Sequence, residues 1–190
     1  GPNFLKSSVG FGGSCFKKDI LNLVYLCRYF DLEEVAEYWE NIIKINDFQK
    51  RRFSKKIIDS FKEIKKNPKI SVLGWAFKKD TNDSRESASI DIVKSLLDNG
   101  IEVNIFDPMV SKKTILYDLG KLSKIDRMKV KISTSIDDSF KYSYGICILT
   151  EWDEFKKIDF KKASSKLIKP ILFIDGRNII DLNQISDLFK

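Results

Sequence analysis

Cys15 and Asp19 are residue types that can act together: a thiolate is a nucleophile, a carboxylate moves protons, and a spacing of four puts both on one face of a helix. They follow Val9-Gly10-Phe11-Gly12-Gly13-Ser14, where adjacent glycines let the backbone turn tightly and pass close to a ligand. Ser14 is a candidate helix N-cap. Beyond it, Phe16, Ile20, Leu23, Val24 and Cys27 recur at helical spacing. Cys15 is thereby expected in the first helical turn, where unpaired N–H groups and the helix dipole favour a thiolate. The competing reading of a lone cysteine is a small buried hydrophobe, and position alone leaves the two balanced.

The other cysteines, Cys27 and Cys147, sit in apolar patterns and read as core. An odd count without a Cys-x-x-Cys pair points to a reducing compartment and away from structural zinc. Histidine is absent, which excludes a Ser-His-Asp triad, a Cys-His dyad and a histidine metal site within these residues. A proton from Cys15 must therefore go to a carboxylate, a lysine or water. The net charge of +7 arises from 34 Lys and Arg against 27 Asp and Glu, interspersed rather than blocked. That is a solvated lysine-rich surface with local attraction for phosphates, and it argues against nucleic acid as a partner. No apolar run approaches the roughly 20 residues that span a bilayer, so no membrane is expected, and no signal peptide is visible at residue 1.

These residues need elements to position them. Residues 1–14 read as a loop and 15–29 as a helix. Asp31 is a candidate cap for a second helical run, which has no Gly or Pro from Glu33 to Lys66. That run is long for one helix, and Asn46-Asp47 is the expected bend or break. Its aromatic face needs a cover. Asn67-Pro68 ends the helical part, which divides the chain into 1–67 and 68–190. From there strands are expected at 70–73, 102–106, 130–133, 144–149 and 171–174. Helices are expected at 87–99, 111–119, 136–142, 151–157 and 160–167, and residues 182–189 close the chain. The fold class is α/β: an N-terminal helical segment, then a doubly wound parallel sheet.

Ligands of such sheets bind beyond the carboxyl ends of the strands. Phe77-Lys78, Thr150-Glu151-Trp152 and Asp175-Gly176-Arg177 all fall there. Asp107 falls there too, but Asp-Pro is a common turn opener, and it is left out of the site. Lys78 and Arg85 suit phosphate. Asp83 to Glu86 reads as a capping box that sets Arg85 in a first turn, where a cation conflicts with the dipole until an anion binds. The alternative for Arg85 is a surface pair with Asp83 or Glu86. Arg177 suits bidentate contact with an anion or sugar hydroxyls; its alternative is a loop-closing salt bridge. No Gly-x-Gly-x-x-Gly fingerprint is present.

Gly10-Phe11-Gly12-Gly13-Ser14-Cys15-Phe16-Lys17-Lys18-Asp19, with Asn22-Leu23-Val24-Tyr25-Leu26-Cys27, resembles the catalytic-cysteine segment of the UDP-glucose/GDP-mannose dehydrogenase family, UDP-glucose 6-dehydrogenase type. Further blocks agree in order: Gly74–Thr81 with Asp83–Ser87, Phe106-Asp107-Pro108, Thr150-Glu151-Trp152 and Asp175-Gly176-Arg177. The resemblance implies a Rossmann-like UDP-sugar domain after a helical dimerisation segment, with NAD as cofactor and UDP-glucose as substrate. It implies Cys15 as nucleophile and Asp19 as the group that handles protons and water. Phe4, Leu5, Lys6, Ser7, Ser8, Val9, Gly10, Phe11 and Gly12 would wrap the substrate, with Phe77, Lys78 and Arg177 as further contacts. Ser14, Lys18 and Arg85 would lie near NAD. It also implies self-association through the central helices, as a homodimer or dimer-based hexamer, and a cytoplasmic enzyme of which this chain is an inactive fragment. Trp75 stands where Phe is common and Asn82 where Gly is frequent. The alternatives are a dehydrogenase of another nucleotide sugar, or a non-catalytic nucleotide-binding or oligomerisation module.

Overall fold

A computed structural model describes residues 6–64 and 68–189. Phe4 and Leu5 of the expected substrate loop lie outside them, as does the 65–67 segment at the expected domain boundary. Two helices open the chain, α1 (Phe16–Tyr29) and α2 (Glu33–Phe61). Ile20, Val24 and Cys27 of α1 pack with Ala36, Trp39, Ile42 and Ile43 of α2 in a small core that Phe11 also joins. Asp31 does not cap α2. It takes a left-handed turn (φ 56°), and Leu32 precedes the helix without a side-chain cap.

The expected break at Asn46-Asp47 is absent: α2 runs 29 residues, about 43 Å. Asparagine breaks helices when its side chain competes for nearby backbone groups. Asn46 instead points inward, and its carboxamide bonds the backbone of Phe11. The far end of α2 brings Ile57 and Phe61 into the main core, where Val9 also lies. The outer faces of α1 and α2 leave Tyr25, Tyr29, Phe30, Tyr38, Ile45 and Phe48 exposed. No helix among the described residues is long and apolar enough to cross a membrane.

The sheet follows: β1 (Lys69–Leu73), α3 (Ala88–Asp98), β2 (Glu102–Phe106), α4 (Lys112–Leu119), α5 (Lys124–Met128), β3 (Val130–Ile132), α6 (Ile136–Ser139), β4 (Gly145–Ile148), α7 (Phe160–Ser164) and β5 (Leu172–Asp175). All strands pair in parallel in the order β3-β2-β1-β4-β5, with β1 and β4 meeting where the winding reverses. Buried parallel strands read as continuous apolar runs, and Ile70, Val72, Leu73, Ile146, Cys147 and Ile148 are fully enclosed. Ser71 satisfies its hydroxyl on Ser139 at 2.7 Å, and Asn104 donates to the carbonyls of Ser139 and Lys141, both at 3.0 Å.

Several expected helices differ. α3 begins at Ala88 with Ser87 as its cap, so Asp83 to Glu86 is loop and no capping box forms. Residues 151–157 give only one 3-10 turn, Phe155–Lys157, and a further 3-10 turn, Leu182–Gln184, lies in the closing segment. α6 and α7 are shorter than expected, and α5 is an addition.

Asp107, at the end of β2, anchors the carboxyl edge. Its Oδ2 accepts from the N–H of Trp75 (2.6 Å) and Ala76 (3.0 Å) and from Trp152 Nε1 (3.2 Å). Its Oδ1 accepts from Met109 and Val110 N–H. One carboxylate thus ties the ends of β1 and β4 to its own turn. Asp107→Ala leaves these donors orphaned, and a loss of about 3–5 kcal/mol is expected in urea unfolding. An unchanged midpoint in that titration would show that the edge is held by other contacts.

Candidate functional site

Cys15 is the residue at which loop becomes helix. Its backbone is helical (φ −97°, ψ −56°) and it occupies the N-cap position of α1, so the helix proper starts at Phe16, one residue later than expected. Ser14 does not cap; its hydroxyl lies 3.6 Å from the Cys15 sulfur. Cys15 is exposed, whereas Cys27 and Cys147 are buried. Burial pushes the Cys147 thiol well above the usual range, which makes it inert. Asp19 stands one turn along α1, also exposed, and its N–H donates to the Cys15 carbonyl at 2.8 Å. Cys15 is therefore an accessible thiol at a helix N-terminus with a carboxylate on the same face.

The loop ahead of it is pressed against the segment between β1 and α3. Gly13 N–H donates to the Arg85 carbonyl at 2.8 Å. A Cβ on Gly12 would sit 2.5 Å from the Glu86 carbonyl oxygen, and Gly13 (φ 88°) lies under the Phe77 ring. Gly12 is needed because two backbones touch here, and Gly13 because its φ is positive and the Phe77 ring covers it. Lys17 bridges the junction to Glu86 at 2.8 Å, and that hydrogen bond holds the Lys17 ammonium above its usual value.

Arg85 is not in a helix turn. Asp83 chelates it: Nε donates to Oδ1 at 2.9 Å and Nη2 to Oδ2 at 2.8 Å. This pairing lowers the Asp83 carboxyl and raises the guanidinium, with the field of Cys15 adding to the latter. The surface pair weighed for Arg85 is thus what forms, within reach of the thiol's field. Lys78 is exposed, its ammonium 5.6 Å from the centre of the Phe77 ring. Lys18 is exposed on α1.

The third side is the turn after β5. Arg177 is largely buried and pairs with Glu151. Its Nη1 donates to the Ser8 hydroxyl at 2.7 Å, and Asn178 Nδ2 donates to the Ser7 hydroxyl at 2.9 Å. Gly176 leaves room for Val9, which packs directly on it. Thr150 donates to the Ala76 carbonyl at 2.6 Å and fills the space beside Gly74.

Most of the expected site residues are linked through the loop ahead of Cys15. Ser7, Ser8, Val9, Gly12 and Gly13 bridge from the Arg177 turn to Phe77 and Arg85, and Cys15 and Asp19 follow on α1. Arg177 adopts the loop-closing salt bridge weighed above. Sequence reasoning missed Asn46 and Gln49, which hold the loop from α2, and it set Asp107 aside although that residue fixes the edge. A signal for Asn46 was present: an asparagine in a helical run facing the same side as Lys50 and Ile57. Together the parts offer an accessible nucleophile, cations suited to phosphate and a glycine loop able to pass close to a ligand.

Residues 71–182 match the model of the UDP-glucose/GDP-mannose dehydrogenase family, UDP binding domain, and residues 1–48 match the family's central domain. The chain is 46% identical over 202 residues to UDP-glucose 6-dehydrogenase 3 of Arabidopsis thaliana, covering 99% of this chain and 42% of that protein. It is 47% identical over 185 residues to UDP-glucose 6-dehydrogenase of Bos taurus, covering 95% and 37%. It thus spans about two fifths of the curated relatives it matches. Its fold is similar to that of a UDP-glucose dehydrogenase from Pyrobaculum islandicum (TM-score 0.69, 24% identity, 90% of this chain and 35% of that one). It is also similar to an NDP-N-acetyl-D-galactosaminuronic acid dehydrogenase from Methanosarcina mazei (TM-score 0.73, 23% identity, 96% and 38%).

The Arg85–Asp83 pair gives a pH signature. A lowered carboxyl stabilises the folded loop above the ordinary aspartate value of 3.8 and loses that contribution as pH falls through the lowered one. In a carboxyl NMR titration Asp83 is expected to titrate below 3.8, and Arg85→Ala to return it towards 3.8. Equal midpoints in the two proteins would mean that Arg85 is not chelated in solution.

Proposed function

The chain belongs to the UDP-glucose/GDP-mannose dehydrogenase family, and within it we propose that the chain supplies the cysteine-bearing and UDP-sugar-binding portion of an NAD-dependent UDP-glucose 6-dehydrogenase. The observation that carries this is Cys15: an exposed thiol at a helix N-terminus, packed by its own loop against the strand ends where Phe77, Lys78, Arg85 and Arg177 gather. Identity of 46–47% to named UDP-glucose 6-dehydrogenases supports the glucose form over other nucleotide sugars. The two family models, meeting this chain on either side of residues 67 and 68, support its division into a cysteine-bearing helical part and a UDP-sugar part.

The overall reaction takes the sugar C6 alcohol to a carboxylate, and the chain's residues fit the covalent part. Loss of a hydride and a proton from the alcohol gives an aldehyde. The Cys15 thiolate adds to its carbon, and the oxygen takes up a proton, giving a hemithioacetal. Loss of a second hydride and proton gives a thioester. Water attacks that carbonyl, the C–S bond breaks, and the acid leaves with Cys15 as thiolate. Capture on sulfur retains the aldehyde and keeps its C–H as a hydride donor. Asp19, one turn from Cys15, takes the proton of the attacking water.

NAD, when bound, would supply the hydride acceptor, one molecule for each of the two hydrides. Ser14 and Arg85 fit contact with it, a hydroxyl and an exposed guanidinium beside the thiol, and Lys18 adds an exposed ammonium on the first turn of α1. No glycine fingerprint cradles a dinucleotide here, so these are edge contacts. Lys6 to Gly12, continuing from Phe4 and Leu5, wrap the UDP-glucose, and Phe77, Lys78 and Arg177 complete its contacts. The uncovered aromatics of α1 and α2 supply a self-association face, as a homodimer or dimer-based hexamer. A free thiol at work fits a reducing compartment, the cytoplasm.

The test counts NADH per UDP-glucose in a protein that joins this segment to a dinucleotide domain. Two NADH are expected, and Cys15→Ala is expected to lower turnover roughly a thousandfold or more. The chain alone is expected to form none. Full turnover with Cys15→Ala would remove the covalent step, and failure with UDP-glucose but success with an N-acetyl or GDP sugar would reassign the substrate.

A further inference from the structure

We infer that Asn46 is a positioning residue that sets the path of the substrate-wrapping loop and, through it, the place of Cys15; this rests on the reading of that loop just given. Asn46 is only 6% exposed. Its Oδ1 accepts the Phe11 N–H at 2.8 Å, and its Nδ2 donates to the Phe11 carbonyl at 3.1 Å. One side chain thus satisfies both backbone groups of one loop residue, as a neighbouring strand would. Gln49, nearly a turn further along α2, donates to the Ser8 carbonyl at 3.2 Å.

The fit is mutual. Gly10 has φ 131°, and a Cβ there would lie 2.7 Å from Asn46 Oδ1 and 3.3 Å from Lys50 Cγ. A glycine at position 10 therefore leaves the space that the Asn46 carboxamide occupies. Asparagine is a poor helix former, and alanine the best. If Asn46 served only α2, Asn46→Ala would strengthen the helix and change nothing else. The geometry points to the opposite: the helix stays and the loop is released.

Phe11 lies four residues before Cys15, and its ring packs edge-on against Phe16 at 4.6 Å. Val9 is held in the main core on its other side. Asn46 holds the Phe11 backbone while the Phe11 ring packs in the α1–α2 core, so releasing it loosens the backbone between Val9 and Cys15 that must close over a ligand.

The experiment uses the 190-residue chain with three readouts: amide hydrogen exchange, UDP-glucose binding by calorimetry and iodoacetamide labelling of Cys15. In Asn46→Ala, protection of the Phe11 amide is expected to fall roughly fivefold to tenfold, the factor one ordinary hydrogen bond carries, with amides of α2 and β1 unchanged. UDP-glucose binding should weaken by a comparable factor. Asn46→Asp adds a rescue. As a neutral acid it can both donate to and accept from Phe11, whereas as a carboxylate it repels the Phe11 carbonyl. At pH 8, where the carboxylate form holds, its UDP-glucose affinity should fall about tenfold below wild type, and it should recover towards wild type as the pH is lowered and the neutral acid returns. The charges nearby (Asp47, Lys50 with Asp91, Lys17 with Glu86) are the same in wild type, which serves as the reference at each pH.

Unchanged Phe11 exchange in Asn46→Ala overturns the inference. So does loss of protection throughout α2 and the sheet, which would make Asn46 a general stability residue, or wild-type affinity with a loosened loop. If the wild-type chain binds no UDP-glucose, it is the substrate reading that fails. The exchange and labelling then decide the role of Asn46, with unchanged Cys15 labelling in Asn46→Ala counting against it.

Discussion

A loop rich in glycine cannot be held by its own side chains, yet once it is enclosed every backbone N–H and C=O in it needs a partner. That constraint organises this molecule. Residues 6–13 form neither helix nor strand, and they satisfy their backbone on three different elements. α2 supplies the carboxamides of Asn46 and Gln49. The segment before α3 supplies the Arg85 carbonyl. The turn after β5 contributes Asn178, whose Nδ2 donates to the Ser7 carbonyl at 3.4 Å as well as to its hydroxyl, and Arg177, which reaches the Ser8 hydroxyl. The long helix, the sheet edge and the cysteine are therefore positioned relative to one another through a single stretch of chain.

Charge pairs surround this joint, but they differ in what they contribute. Lys17–Glu86 is substantially exposed, so about 1 kcal/mol is the most it can add. The junction it spans is held instead by the Gly13–Arg85 backbone bond and by direct contact of Gly12 with the Glu86 backbone. Lys50 is different: its side chain is 5% exposed and its ammonium meets Asp91 at 2.7 Å. An ammonium so enclosed is costly without a partner, and Asp91, still half in water, answers it from α3. That pair ties α2 to the sheet layer beside Gly10. Arg177–Glu151, with 15% and 26% exposure, closes the edge in the same way. The weight lies in enclosed contacts, and the exposed pairs tune them.

The sheet was legible because buried parallel strands write themselves as apolar runs. β2 falls on the expected 102–106, and α3 ends before Gly100, whose φ of 76° is the left-handed turn expected there. The errors share one physical source: polar residues with short side chains were assigned to the nearest helix end or break. Ser14 and Asp31 do not cap, and Asp83 turns to Arg85 instead of to a helix N–H. Asn46 reaches across to Phe11 instead of breaking its own helix. Local sequence gives what such a side chain can bond, and tertiary placement decides which option it takes. The expected helix at 151–157 failed for a related reason, since one turn of periodicity does not distinguish an α-helix from the 3-10 turn found at Phe155–Lys157.

The site was legible in kind and less so in support. Cys15 was expected in an exposed helix start, and the competing expectation of a buried hydrophobe fits Cys27 and Cys147 instead. Asp107 shows the limit. Read locally, Asp-Pro is a turn opener, and Oδ1 does serve that turn through Met109 and Val110. The other oxygen serves Trp75, Ala76 and Trp152, which lie 32, 31 and 45 residues away in sequence. A carboxylate has two oxygens and several lone pairs, so one residue can satisfy a local rule and a distant one together. A local pattern that is already explained therefore does not exhaust a polar residue. At a sheet's carboxyl edge, where several strand ends release unpaired N–H groups, the unused oxygen is where the longer-range structure is to be sought.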